Sequence, residues 1–172
     1  MDIEHLKFPI GRFKCPAEIF KPDIAAATIY LDEFPVLLRK VALSLSEVDL
    51  ETPYRPGGWT LRQLIHHIAD SHMNALIRFK LALTEKNPVI KPYSEAKWAE
   101  LEDSSLPIDI SLNVIDAIHF RLTTLIRNMS PTDFEKCYFH PESAELVPLK
   151  ETILMYKWHA EHHLAHLHLV KF

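Results

Sequence analysis

Glycine is nearly missing from this 172-residue chain: Gly11, Gly57 and Gly58 are the only three. GxGxxG and P-loop patterns need more glycines than any one region here supplies, which excludes a phosphate-cradling loop. Cysteine is as scarce. Cys15 and Cys137 stand far apart without CxxC spacing, so neither a disulfide framework nor a thiolate cage is expected. No apolar run approaches the roughly 18 residues that span a bilayer, and MDIEHLKFPIGRF lacks the apolar core of a secretory signal. A cytoplasmic location with no membrane partner is the expectation. Basic residues number 19 against 23 acidic ones, for a net charge of -4, and they form no stripe of the kind that phosphate backbones require. No nucleic-acid partner is expected.

What the chain does have is an ordinary globular composition, 48% hydrophobic and 24% charged, at a length suited to one domain. Twelve prolines punctuate its connections. Residues 1–22, with Pro9, Pro16 and Pro22 and no periodicity, read as an extended arm, and 23–172 as a single domain. A first helix is predicted from Asp23 to Leu45, bent or split at Pro35. In GGWTLRQL, Thr60 as N-cap, Gln63 at N3 and Trp59 opposite Leu64 spell a capping box with a hydrophobic staple, opening a helix that ends near Lys86. Ser94–Glu102 reads as a short helix anchored by Trp98. Leu112, Ile115, Ile118, Leu122, Leu125 and Ile126 recur at intervals of three and four, predicting a third long helix over Asp109–Met129. Ser130-Pro131-Thr132-Asp133 reads as the start of a small helical segment. KCYFHPESAELVPL reads as a short hairpin before a fourth long helix over Leu149–Val170. The fold class is therefore all-α, a four-helix bundle.

Histidine is the abundant oddity. YKWHAEHHLAHLHL, Tyr156–Leu169, holds five of the chain's eleven, and imidazole is the commonest metal ligand. A helical wheel places Leu149, Ile153, Tyr156, Ala160, Leu164 and Leu167 on the core face, with His163 about 50° and His159 about 90° from its centre. His166, at about 110°, and His162, at about 150°, are predicted to face outward. His159 and His163, at i and i+4, stand one above the other and form half a metal site. Glu161 projects to the opposite face, so this is not the HExxH of metalloproteases.

A third ligand would come from HHIADSH in the second helix. His72 points into the apolar stripe as a core histidine. His67 shares a polar row with Gln63, Asp70, Ser71, Asn74 and Arg78, which periodicity reads as solvated surface. Helical geometry alone does not choose between His66 and His67. Asp70, one turn after His67, is a candidate to orient its ring or to accept a proton. Arg55 and Arg78 are candidates for an anionic substrate group, whereas Tyr54, Tyr93 and Trp98 are expected to pack.

FPIGRFKCP, TPYRPGGWTLRQLIHHIADSHMNALIRFKLALTE, IKPYSEAKWAEL, YFHPES and YKWHAEHHLAH together resemble the DinB/YfiT-like superfamily of metalloenzymes, closest to its YfiT branch. The resemblance runs from residue 8 to 166. It implies a bundle of up-down-down-up type and a metal triad that falls on His67, His159 and His163. Three imidazoles leave a position for water or substrate, and their softness favours one divalent zinc or nickel ion over magnesium or calcium. The family implies a metal-dependent hydrolase acting on a small molecule, and a homodimer. Two alternatives stand beside it: an S-transferase that activates a low-molecular-weight thiol of the bacillithiol type, and a non-catalytic metal-binding bundle.

Overall fold

A computed structural model describes residues 3–171. Its elements in chain order are α1 (Glu4–Lys7), α2 (Lys21–Ala42), α3 (Glu47–Leu50), α4 (Leu61–Thr84), α5 (Glu95–Trp98), α6 (Ile108–Arg127), β1 (Cys137–His140), β2 (Glu145–Pro148) and α7 (Leu149–Lys171). The four long helices α2, α4, α6 and α7 make a bundle. Each buries the apolar stripe that its spacing encodes: Leu31, Phe34 and Leu38 from α2, Leu64, Ile65 and Phe79 from α4, Leu112, Ile115 and Leu122 from α6, and Ile153 and Leu167 from α7. Fully burying a side chain of this kind contributes roughly 1.5–3 kcal/mol, which is what holds the helices together.

Side-chain pairs give the directions. Arg62 meets Leu106, His66 meets Ser111 and His72 meets His119, so α4 and α6 run parallel. Asp32 pairs with Thr123 and Arg39 with Asp116, which makes α2 antiparallel to α6. Ser71 approaches His159 while Arg78 approaches Tyr156, which makes α7 antiparallel to α4. The result is up-down-down-up. Parallel α4 and α6 require a long crossover, supplied by residues 85–107 with α5 and a 3-10 turn at Glu102–Ser105.

The cap of α4 forms as its sequence specifies. Thr60 Oγ1 accepts from the Gln63 amide at 3.2 Å, and Gln63 Oε1 accepts from the Thr60 amide at 3.0 Å. Gln63 Nε2 also donates to the Ala99 carbonyl at 2.8 Å, tying α4 to the crossover. Helix α2 is not split at Pro35 but runs through it as one element, and it starts at Lys21, ahead of the expected Asp23, where the Phe20 amide donates to Asp23. Within the segment read as extended, α1 forms one helical turn. The small helical segment expected from Ser130 is a single 3-10 turn, Asp133–Glu135, with Ser130 bonded to Asp133. The hairpin forms with Cys137 opposite Pro148 and His140 opposite Glu145, and runs directly into α7. Both cysteines are free. No helix among the described residues is long and apolar enough to cross a membrane.

Candidate metal centre

Where α4 and α7 cross, His67, His159 and His163 come together with one ligand nitrogen from each lying within 4.8 Å of the others. The Nε2 atoms of His159 and His163 are 3.1 Å apart. The His67 ring centre is 5.0 Å from that of His163 and 5.5 Å from that of His159. Two metal–nitrogen bonds of about 2.0–2.1 Å reach about 4 Å between nitrogens, so the His159 and His163 pair lies within the span of one ion. His67 packs against Trp59 at 4.6 Å between ring centres, so the residue preceding the α4 cap also backs a site histidine.

Part of the polar row of α4 is not solvated surface. His67, Ser71 and Arg78 line a cavity of about 580 Å³, walled also by Tyr54, Arg55 and Tyr93. A helical wheel misses this because the wall comes from the loop ahead of α4 and from the crossover. Helix α7 holds a second correction. His162 and His166, predicted to face outward, are 6% and 1% exposed. The N-terminal segment covers them: Phe8 stacks on His162 at 5.8 Å, and His166 Nε2 bonds the Leu6 carbonyl at 3.1 Å. The trio His162, His163 and His166 also gathers its nitrogens within 4.8 Å.

The other histidines separate cleanly. His66 turns away to Ser111 and the Leu106 carbonyl, at 2.7 and 2.9 Å. His72 is fully buried, its Nε2 3.1 Å from His159 Nδ1 and its Nδ1 2.8 Å from His119 Nε2. His119 was not singled out in the sequence, although it sits four residues after Ile115 and seven after Leu112, on the buried stripe of α6. Glu161 pairs with Lys157 outside the cavity. Asp70 also lies outside the cavity wall, and no hydrogen bond joins it to His67 among the described residues. Burial, and then the charge of Asp103, push its carboxyl up to about 6.

Burial holds the imidazoles neutral. It lowers His67 to about 4 and takes His159 and His163 well below the usual range, the neighbouring imidazoles adding to the effect. A neutral imidazole offers a lone pair, so the donor set suits a soft or borderline divalent ion. The rim is cationic. Among the described residues neither cavity arginine meets a carboxylate: Arg78 donates to the Tyr156 hydroxyl at 3.4 Å and Arg55 to the Pro56 carbonyl at 3.2 Å, with Arg55 Nε buried and unpartnered. Burial pushes the Tyr93 phenol up to about 12, so it remains a donor at neutral pH.

Comparison with known proteins agrees with the geometry. Residues 30–167 match the family model of the DinB superfamily. An Oceanobacillus iheyensis protein named "Putative metal-dependent hydrolase" is 51% identical over 161 residues, 94% of this chain and 93% of its own. A Bacillus mycoides protein of the same description is 47% identical over 165 residues, 96% and 95% of the two chains. The solved structure of YfiT from Bacillus subtilis, described as "a probable metal-dependent hydrolase with an unusual four-helix bundle topology", matches with a TM-score of 0.94 at 40% identity, over 97% of this chain and 96% of that one. By sequence, helix order and overall shape alike, the chain belongs to the DinB superfamily, on its YfiT branch.

Proposed function

We propose that the chain is a metal-dependent hydrolase in which His67, His159 and His163 hold one divalent ion, zinc or nickel, and that its substrate is a small molecule with an anionic group. The observation that carries this reading is the convergence of three neutral imidazoles, His67 and His163 buried and His159 half-buried, on the wall of a cavity of about 580 Å³, a size that suits a small ligand. Bound there, such an ion supplies Lewis acidity and a water acidified toward neutrality. Arg55 and Arg78, free of carboxylates, receive the substrate's anionic group and orient it. Tyr93, held protonated, donates a hydrogen bond into the same space. Trp59 and Tyr54, partly buried against the core, supply apolar wall beside the imidazoles, and polar interactions gain strength where the surroundings are less polar than water.

The test is a panel of anionic esters and amides offered to zinc- and nickel-loaded protein. Turnover is expected, together with loss of stoichiometric metal and of at least 100-fold in rate, on the order of one lost ligand, in His163→Ala. Conjugation of a low-molecular-weight thiol to monochlorobimane, with no hydrolysis of any panel member, would replace hydrolysis with thiol transfer. Tight metal binding with neither reaction would leave a non-catalytic metal site.

A further inference from the structure

The last helix is richer in histidine than a three-ligand site requires, and the surplus forms a pattern. Helix α2 carries Pro35, which has no N–H, so the Leu31 carbonyl four residues earlier loses its helical donor. His119 Nδ1 reaches across from α6 to that carbonyl. A carbonyl only accepts, so the proton of neutral His119 sits on Nδ1 and its Nε2 is an acceptor. His72 Nδ1, 2.8 Å away, must then donate, which leaves His72 Nε2 as acceptor for His159 Nδ1 at 3.1 Å. The proton of His159 is thereby placed on Nδ1 and its Nε2 is left unprotonated, with only a long contact of 3.4 Å to the Ser71 hydroxyl besides His163.

A second sequence of bonds ends the same way. His166 Nε2 donates to the Leu6 carbonyl at 3.1 Å, so His166 Nδ1 accepts from His163 Nδ1 at 3.2 Å, and His163 Nε2 is also left unprotonated. We propose that His72, His119 and His166 are positioning residues: two imidazole relays, each anchored on a backbone carbonyl, fix His159 and His163 as Nδ1–H tautomers with their Nε2 lone pairs turned to one point. This rests on the reading of those two residues as ligands.

Three observations support it. The two unprotonated Nε2 atoms face each other at 3.1 Å; lone pairs at that distance repel unless a cation or a proton lies between them, whereas an ordinary structural pair would set one tautomer to donate to the other. The acids nearest His119 are engaged elsewhere, Asp32 by Arg127 and Asp116 by Arg39, so the relay ends on a neutral carbonyl instead of a charge. In the trio His162, His163 and His166, the relay places a proton on His163 Nδ1, the nitrogen that faces His166, so that atom offers no lone pair to a second ion. Among the described residues no hydrogen bond holds the third ring, His67; Trp59 packs against it.

The test has two arms. Imidazole 15N spectra of the wild-type protein, metal-free and zinc-loaded, are expected to show His72 and His119 protonated on Nδ1 and His166 on Nε2; protonation of His119 on Nε2 or of His166 on Nδ1 would overturn the relays. Chelator competition on His119→Phe, separated from His159 by His72, and on His166→Phe, which removes the acceptor for the His163 Nδ1 proton, is expected to show zinc affinity reduced roughly 10- to 100-fold, the range for lost partners of ligand histidines. His166→Gln, whose amide can donate to Leu6 and accept from His163, is expected to retain most of it. Folded phenylalanine variants with unchanged affinity would also overturn the proposal, and if those variants fail to fold the wild-type spectra decide alone. Absence of stoichiometric zinc in the wild type would sink the ligand reading instead, and the metal-free spectra would still test the relays.

Discussion

Mild acid is expected to destabilise the metal-free protein strongly, because the fold stores neutral imidazoles. Burial holds His67 and His119 at about 4, against about 6.5 in the unfolded chain. Below pH 6.5 the unfolded state binds the extra protons, so stability falls as pH drops from about 6.5 toward 4. Between pH 7.5 and about pH 5.5 each of the two groups removes about 1.4 kcal/mol, together about 3 kcal/mol. Asp70, raised to about 6, works the other way: its folded form gains the proton first, so acidification returns less than about 1 kcal/mol after allowance for solvent screening. The net loss is about 2 kcal/mol from these three groups, a large share of a typical domain stability of about 5–15 kcal/mol. His66, His72, His159, His162, His163 and His166 are shifted in the same direction as His67 and deepen the loss. Urea unfolding in the presence of a chelator measures it: with a slope near about 2 kcal/mol per molar, the midpoint falls by roughly 1 M or more between the two pH values. A midpoint that stayed level or rose would refute the claim that these rings are buried without charge.

Two substitutions probe the scaffold separately from the chemistry. Thr60→Ala removes the acceptor for the Gln63 amide and is expected to lower stability by about 1 kcal/mol, seen as a reduced melting temperature; an unchanged value would mean that the capping box contributes nothing. A Cβ at position 58 would lie 2.7 Å from Arg55 Cγ and 3.3 Å from Tyr54 Cε1, so Gly58→Ala is expected to push both off the cavity wall. Calorimetry should then show an anionic ligand bound weaker by roughly 1 kcal/mol, about one hydrogen bond, and equal affinity in both proteins would show that Arg55 takes no part.

The bundle was legible because local signals and the global fold agree. The stripes of α4 and α6 and the Thr60–Gln63 cap each specify a helix with a defined face and start, and Pro141-Glu142-Ser143 breaks the helical pattern where the hairpin turns. His159 and His163 were legible as a pair from their spacing alone. The wheel failed wherever a second layer lies over the helix. His162 and His166 are buried by Phe8 and Leu6, and His67, Ser71 and Arg78 of the α4 polar row share a cavity wall with Tyr54, Arg55 and Tyr93, all contributed by segments without periodicity. His119 left a usable sign, a titratable residue on an apolar stripe. Pro35 left a misleading one, since the same missing N–H that predicts a break instead frees the carbonyl that His119 uses.

The bond between Leu6 and His166 joins residues 160 positions apart, and that between Gly11 and Trp158 joins residues 147 apart. Contacts so distant along the chain make for slow closure, since loop entropy is spent before they form. During synthesis α7 leaves the ribosome after every element it packs on, so α2, α4 and α6 can associate while Trp59 and His67 still await their cover. Two of the three proposed ligands, His159 and His163, belong to α7, so a chain arrested before Leu149 would lack most of the proposed site and would carry the inner end of one proposed relay with nothing for it to orient.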